Sequence, residues 1–171
     1  MAVSPTGVIY VVVCAAPPAR TIHELLVLLD RDPRQLVIVT TPAAAEWIDE
    51  QQVSQLTSWP IRTTSRRVDE PKIHPAPDMV IAAPLTFNTI NKWAAGINDN
   101  AALGVLNEAI GGDVPIIGAP VTKPALTAHP AFANSLRTLA AAGVTLMMIN
   151  GIVRTPSQCD WRPILDAISP G

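Results

Sequence analysis

Five short apolar runs separated by helical patterns constrain this chain more than any other feature. Val8–Val13, Leu36–Val39, Met79–Ala82, Ile116–Ala119 and Thr145–Ile149 are apolar stretches, most of them rich in valine and isoleucine, without polar alternation. A strand with one wet face alternates, whereas an unbroken run is buried on both faces, as where helices cover both sides of a parallel sheet. The intervening segments read as helices. Thr21–Leu29 sets Ile22, Leu25, Leu26 and Leu29 on one face. Ala43–Glu50 follows Thr41-Pro42, a hydroxyl cap with proline at the first helical position. Ala101–Ile110 runs from Asp99-Asn100 to Gly111-Gly112, Ala131–Ala142 from Pro130 to Gly143, and a short helix is expected around Pro163–Ile168. This rhythm predicts an α/β chain: a three-layer α/β/α, Rossmann-like, doubly wound parallel sheet. With 171 residues, positions 1–171 are expected to form one domain. Ser65–Pro77, with Arg66, Arg67, Asp69, Glu70, Lys72 and three prolines, reads as a surface loop, as does Arg154–Asp160.

Charge and composition narrow the partners. The net charge is −2, with no basic run, so nothing supplies the electrostatic footprint of a nucleic-acid binder. Charged residues are 15% of the chain, against about 25% in typical soluble proteins, while 49% are hydrophobic. Some of that apolar surface is expected to meet another copy of the chain. No apolar stretch approaches the ~20 residues of a membrane span, and Val8–Ala16 lacks the basic flank of a signal peptide. The expected compartment is therefore the cytoplasm. Cys14 and Cys159 form neither a disulfide framework nor a metal-ligand spacing. Cys14, ending the first strand, reads first as a small buried hydrophobe.

In an open parallel sheet the loops at the carboxyl ends of the strands share one edge, where ligands bind. Cys14-Ala15-Ala16-Pro17-Pro18 is not a glycine-rich fingerprint, and its prolines remove two N–H donors. Thr40-Thr41-Pro42 offers two hydroxyls ahead of a helix. Pro84-Leu85-Thr86-Phe87-Asn88-Thr89 ends an apolar strand in hydroxyls and an amide where a helix begins, which suits an anion. For each threonine taken singly, plain helix capping is the better reading. Three converging loops with hydroxyls and no carboxylates favour a mononucleotide bearing a phosphate. The absence of an acidic residue after the second strand argues against a ribose-reading dinucleotide site.

At this point a resemblance becomes specific. Ala83-Pro84-Leu85-Thr86-Phe87-Asn88-Thr89, continuing through Lys92 to Gly96-Ile97-Asn98-Asp99-Asn100, resembles the signature of the homo-oligomeric flavin-containing cysteine decarboxylases: an APxxANT turn, then a helix ending in GIxDN. That family includes phosphopantothenoylcysteine decarboxylase and the enzymes that decarboxylate a C-terminal cysteine of lantibiotic and related peptides. The likeness extends over most of the chain, through Val39-Thr40-Thr41 and Pro120 to His129-Pro130. It implies a flavoprotein fold and FMN held at a subunit interface, in a homotrimer or a dodecamer of trimers. By position, Thr40, Thr41, Thr86, Phe87, Asn88 and Thr89 would contact phosphate, ribityl chain or flavin, and the backbone at Ala119-Pro120 would lie near the ring. Cys14-Ala15 stands where relatives have Gly-Ser, leaving backbone contacts there.

The implied reaction oxidises a cysteine thiol to a thioaldehyde, with loss of CO2. It requires a thiol beside the flavin, a base and a holder for the carboxylate. Counting back from Pro84 to the relatives' catalytic histidine lands on Glu70; the nearest histidine is His74, the candidate base, whose alternative is a solvated loop residue. The relatives' PxMNxxMW clamp here reads Pro120-Val121-Thr122-Lys123-Pro124-Ala125-Leu126-Thr127. Lys123, with Asn98, is a candidate substrate residue, since an ammonium holds a carboxylate as a point charge. An ordinary exposed lysine is the other reading. His129 beside Pro130 points to a helix start, and Cys159 falls roughly where relatives carry a flap. Three functions stay open. They are an FMN-dependent decarboxylase of a peptide or small thiol carboxylate, an FMN protein of other chemistry, and a nucleotide module without flavin.

Overall fold

In the computed structural model, residues 7–148 and 159–168 are described. Strands β1 (Val8–Val13), β2 (Gln35–Thr40), β3 (Met79–Leu85), β4 (Ile116–Pro120) and β5 (Thr145–Leu146) form one sheet in the order β2-β1-β3-β4-β5. Every pairing is parallel. Helices α1 (Ile22–Leu29), α2 (Glu50–Ser54) and α7 (Arg162–Ile168) contribute to the core on one face. Helices α3 (Phe87–Ala94), α4 (Ala101–Gly111) and α6 (Pro130–Ala141) contribute on the other. The short α5 (Pro124–Thr127) lies between β4 and α6 and buries no residue. The three-layer, doubly wound architecture read from the apolar runs is the one observed.

The unbroken runs divide between the two cores by strand pleat. In β1, Tyr10 and Val12, followed by Cys14, join one core, while Ile9, Val11 and Val13 join the other. β3 departs from this alternation near its end. Its register against β4 shifts between Ala82 and Leu85, across Pro84, which has no ladder donor and is tolerated at a bulge. The shift returns Leu85 to the face of Ala82. Gly118 makes room for it: a Cβ there would stand 3.0 Å from Leu85 Cδ1. The strand thus runs past the expected Ala82 to Leu85, carrying the following turn to the sheet edge.

One expectation needs correction. Ala43–Glu50 is not one helix. The Thr41 hydroxyl accepts from the Ala44 N–H at 3.2 Å, closing a short 3-10 turn over Ala44–Glu46. The helix starts later, at Glu50, where Asp49 caps the Gln52 N–H at 3.1 Å. Ile149 of the fifth run and residues 154–158 of the expected tail loop lie outside the described residues. Ser65–Pro77 has no regular structure, as expected. Tyr10 Oη donates to the Pro75 carbonyl at 2.6 Å, and Asp78 accepts from the Val8 N–H at 2.7 Å. Both contacts tie this connection to the amino end of β1.

Candidate functional site

β1 lies between β2 and β3, so the chain leaves it toward one sheet edge and returns to its other side. The connections after β1 and β3 therefore part to opposite faces, and a crevice opens at the carboxyl end of the strands. A cleft of about 960 Å³ occupies that position, within the range of small-ligand sites. Ala15, Ala16 and Pro17 wall it after β1, and Thr41, Pro42, Ala43 and Trp47 after β2. Thr86, Phe87, Asn88 and Thr89 form the turn after β3; Val121, Thr122, Lys123 and Leu126 close the side after β4. The remaining lining residues are Lys92, Asp99 and Asn100.

The turn after β3 is built by capping. Thr86 is the N-cap of α3, and its hydroxyl accepts from the Thr89 N–H at 3.4 Å. The other N–H groups of that first turn have no intrahelical acceptor, and the helix dipole adds partial positive charge at the cleft. At its other end α3 closes in a Schellman turn. Gly96, at φ +70°, allows the Ile97 N–H to reach the Lys92 carbonyl at 2.9 Å. This turn carries Asp99 back to Lys92, and the two form an ion pair on the cleft wall. Asn100 caps α4 through the Leu103 N–H at 3.0 Å while its amide donates to Asp99 at 3.1 Å. Lys123 is exposed, and no ion pair involving it is found among the described residues. Beside it the Thr122 hydroxyl is buried without a hydrogen-bond partner. Buried polar atoms are rarely left so, and in a cleft a ligand is the natural partner. Phe87 packs edge-on to His129 at 5.7 Å between ring centroids. His129 Nδ1 accepts from the Ala131 N–H at 3.1 Å, the helix-start role expected of it.

The Flavoprotein family matches residues 5–168. The chain belongs to the Flavoprotein family. Solved structures share its fold at low identity. A PPC decarboxylase mutant complexed with pantothenoylaminoethenethiol superposes with a TM-score of 0.76 at 17% identity, covering 95% of this chain and 96% of that one. The FMN-dependent cysteine decarboxylase TvaF from thioviridamide biosynthesis gives 0.69 at 22% identity, over 83% and 90%. The epidermin biosynthesis protein EpiD from Staphylococcus aureus gives 0.70 at 20% identity, over 84% and 83%. The resemblance read from the turn after β3 thus holds for family and fold.

Within this flavoprotein fold the expected positions separate. Ala15, Thr41, Thr86, Phe87, Asn88, Thr89 and Lys123 meet at the cleft. Thr40 does not: adjacent strand residues point to opposite sides, and its buried hydroxyl pairs with Thr63 Oγ1 at 2.9 Å. Cys14 is wholly buried behind the cleft wall, and its Sγ donates to Thr89 Oγ1 at 3.4 Å. Burial pushes this thiol up from its ordinary value. Ala119 is buried in the core, and Asn98 is exposed outside the lining, one residue short of the Asp99 that enters it. His74 is also outside. Its Nε2 lies 2.9 Å from the Pro60 carbonyl and its ring packs near Trp59, which is tied to Gln35 at the start of β2. A proline-rich connection bound at that end does not bring the imidazole to the cleft. Trp47 was not anticipated. It needed the 3-10 turn to aim it, and the Arg20 guanidinium lies 5.1 Å from its ring centroid on the neighbouring segment.

Proposed function

We propose that the cleft holds FMN and that the chain oxidatively decarboxylates a thiol-bearing carboxylate, either a peptide ending in cysteine or a small cysteine conjugate. The observation that carries this reading is one crevice with two unlike ends. On one side are the hydroxyls of Thr41 and Thr89, the Asn88 amide and the start of α3; on the other are Lys123 and the unpartnered Thr122 hydroxyl. The first set suits a phosphate, since hydroxyl, amide and helix N–H donors converge without a carboxylate among them. Phe87 and Trp47 supply apolar walls for a planar ring. The second set suits a carboxylate: Lys123 offers charge and Thr122 one directed donor. FMN, when bound, supplies a two-electron oxidant for the thiol. The protein's own residues orient the substrate and hold its carboxylate next to that oxidant.

Asp99 is occupied with Lys92, and no histidine lines the cleft among the described residues. In this reading the base is supplied by a neighbouring protomer, in keeping with the trimeric assembly that the family resemblance implies. Wholly exposed Val68 and half-exposed Ile73, on the same connection as His74, are apolar side chains suited to such a contact. The test is to load purified protein with FMN, confirm the visible flavin spectrum, and incubate it with peptides ending in cysteine. Products lighter by CO2 and two hydrogens are expected. Bound FMN with no mass change across a broad peptide and cysteine-conjugate set favours a flavoprotein of other chemistry. Colourless protein that ignores added FMN rejects the cofactor as well.

A further inference from the structure

Cys14 follows β1 at the phosphate side of the cleft, yet its side chain points away from the cleft into the core behind Thr89. Three hydrogen bonds connect this region. Cys14 Sγ donates to Thr89 Oγ1 at 3.4 Å, Thr86 Oγ1 donates to Thr89 Oγ1 at 3.2 Å, and the Thr89 N–H returns to Thr86 Oγ1 at 3.4 Å. A hydroxyl has two acceptor positions and one proton to give. Both acceptor positions of the Thr89 hydroxyl are taken, one by the thiol and one by Thr86. Its proton is the only capacity left, and Thr89 is 4% exposed on a cleft wall.

We propose that Cys14 is a positioning residue that fixes the Thr89 hydroxyl as a one-way donor to the phosphate of the bound cofactor. This deepens the FMN reading of the cleft and rests on it. In a site with a free hydroxyl rotor, the proton is shared among several acceptors and only part of its population faces an anion. Here the thiol and Thr86 hold the oxygen from behind, so the donor is aimed before the ligand arrives, which lowers the ordering cost of binding. Burial of Cys14 favours the protonated thiol and so keeps its S–H available to donate. Cys14 thus acts through Thr89 rather than on the ligand.

The test compares FMN with riboflavin, which has the same ring and ribityl chain but no phosphate, by visible-absorbance titration of Cys14→Ala, Cys14→Ser, Thr89→Val and Cys14→Ala/Thr89→Val. Losing a hydrogen bond to a charged group predicts a fall in FMN affinity of roughly tenfold or more for Thr89→Val. Cys14→Ala is expected to lower FMN affinity by about threefold to fivefold, less because the donor is freed rather than removed, with riboflavin affinity unchanged. Cys14→Ser, which keeps a donor, restores the FMN preference, and Cys14→Ala has no further effect in the Thr89→Val background. Equal losses for FMN and riboflavin, an unchanged FMN preference in Cys14→Ala, or additive effects in the double variant overturn the proposal. The S–H stretching band in the infrared spectrum of the ligand-free protein is a second readout. It is expected to shift in Thr89→Val, and an unmoved Cys14 band overturns the relay. If the wild-type protein takes up no FMN, the cofactor reading of the cleft fails, and this band alone decides whether the relay stands.

Discussion

The two edges of the sheet spend their polar groups in opposite ways. At the amino edge, side chains satisfy the protein itself. Asp78 accepts from Val8, Arg34 grips Asp32 at 2.7 Å, Trp59 donates to Gln35 at 2.9 Å, and Tyr10 holds Pro75. At the carboxyl edge, Thr122 is buried without a partner, the first turn of α3 faces a cleft, and Lys123 meets no carboxylate among the described residues. Polar groups that close on one another stabilise a fold, whereas polar groups left open await a ligand. Substitutions at the amino edge should therefore change stability and leave ligand affinity alone, and substitutions at the carboxyl edge should do the reverse.

The largest expected effect is at the carboxyl edge. Asn88→Asp places a carboxylate at the proposed phosphate site, and like charges about 4 Å apart in a partly buried setting weaken FMN binding on the order of 100-fold. The melting temperature is expected to change little; equal affinity by absorbance titration removes Asn88 from the cofactor site. At the amino edge, Asp78→Ala orphans the Val8 N–H and is expected to cost about 1–3 kcal/mol of unfolding free energy in a urea titration. FMN affinity should be unaffected, and a joint loss of both breaks the division between the edges.

Much of this contrast was legible in the sequence, and its gaps have physical causes. β1 matches the Val8–Val13 run in both bounds, because a strand buried on both faces has no freedom to be polar inside. Thr86 and Asn100 declared their helices because capping is local chemistry. Thr41-Pro42 misleads because the same hydroxyl that caps a helix also closes a 3-10 turn, which local sequence does not distinguish. Thr40 could not be separated from Thr41, since its partner Thr63 arrives on a distant segment beside β2. His74 and Asn98 were placed by motif spacing, which does not report which sheet edge a connection is bound to.

A smaller effect is expected from Lys123→Met. Removing the charge should raise KM for a thiol carboxylate by about tenfold, while FMN affinity holds. An unchanged KM would return Lys123 to the status of an ordinary surface lysine. The smallest effect concerns pH. Hydrogen bonds from Arg34 hold the Asp32 carboxyl below its usual range, so its folded-state pKa is depressed. Its contribution to stability is present above the unfolded value of about 3.9 and is lost as pH falls through the lower folded value. Melting curves of the wild type and Asp32→Asn should therefore differ near neutral pH and converge in acid. A difference that grows on acidification contradicts this pairing.

The division of the sheet into a closed edge and an open one is tested most directly by titrating the purified wild-type protein with FMN and separating bound from free cofactor by gel filtration. One FMN per chain, eluting with the protein with a perturbed visible spectrum, is the predicted result. FMN that separates from the protein at every concentration contradicts it.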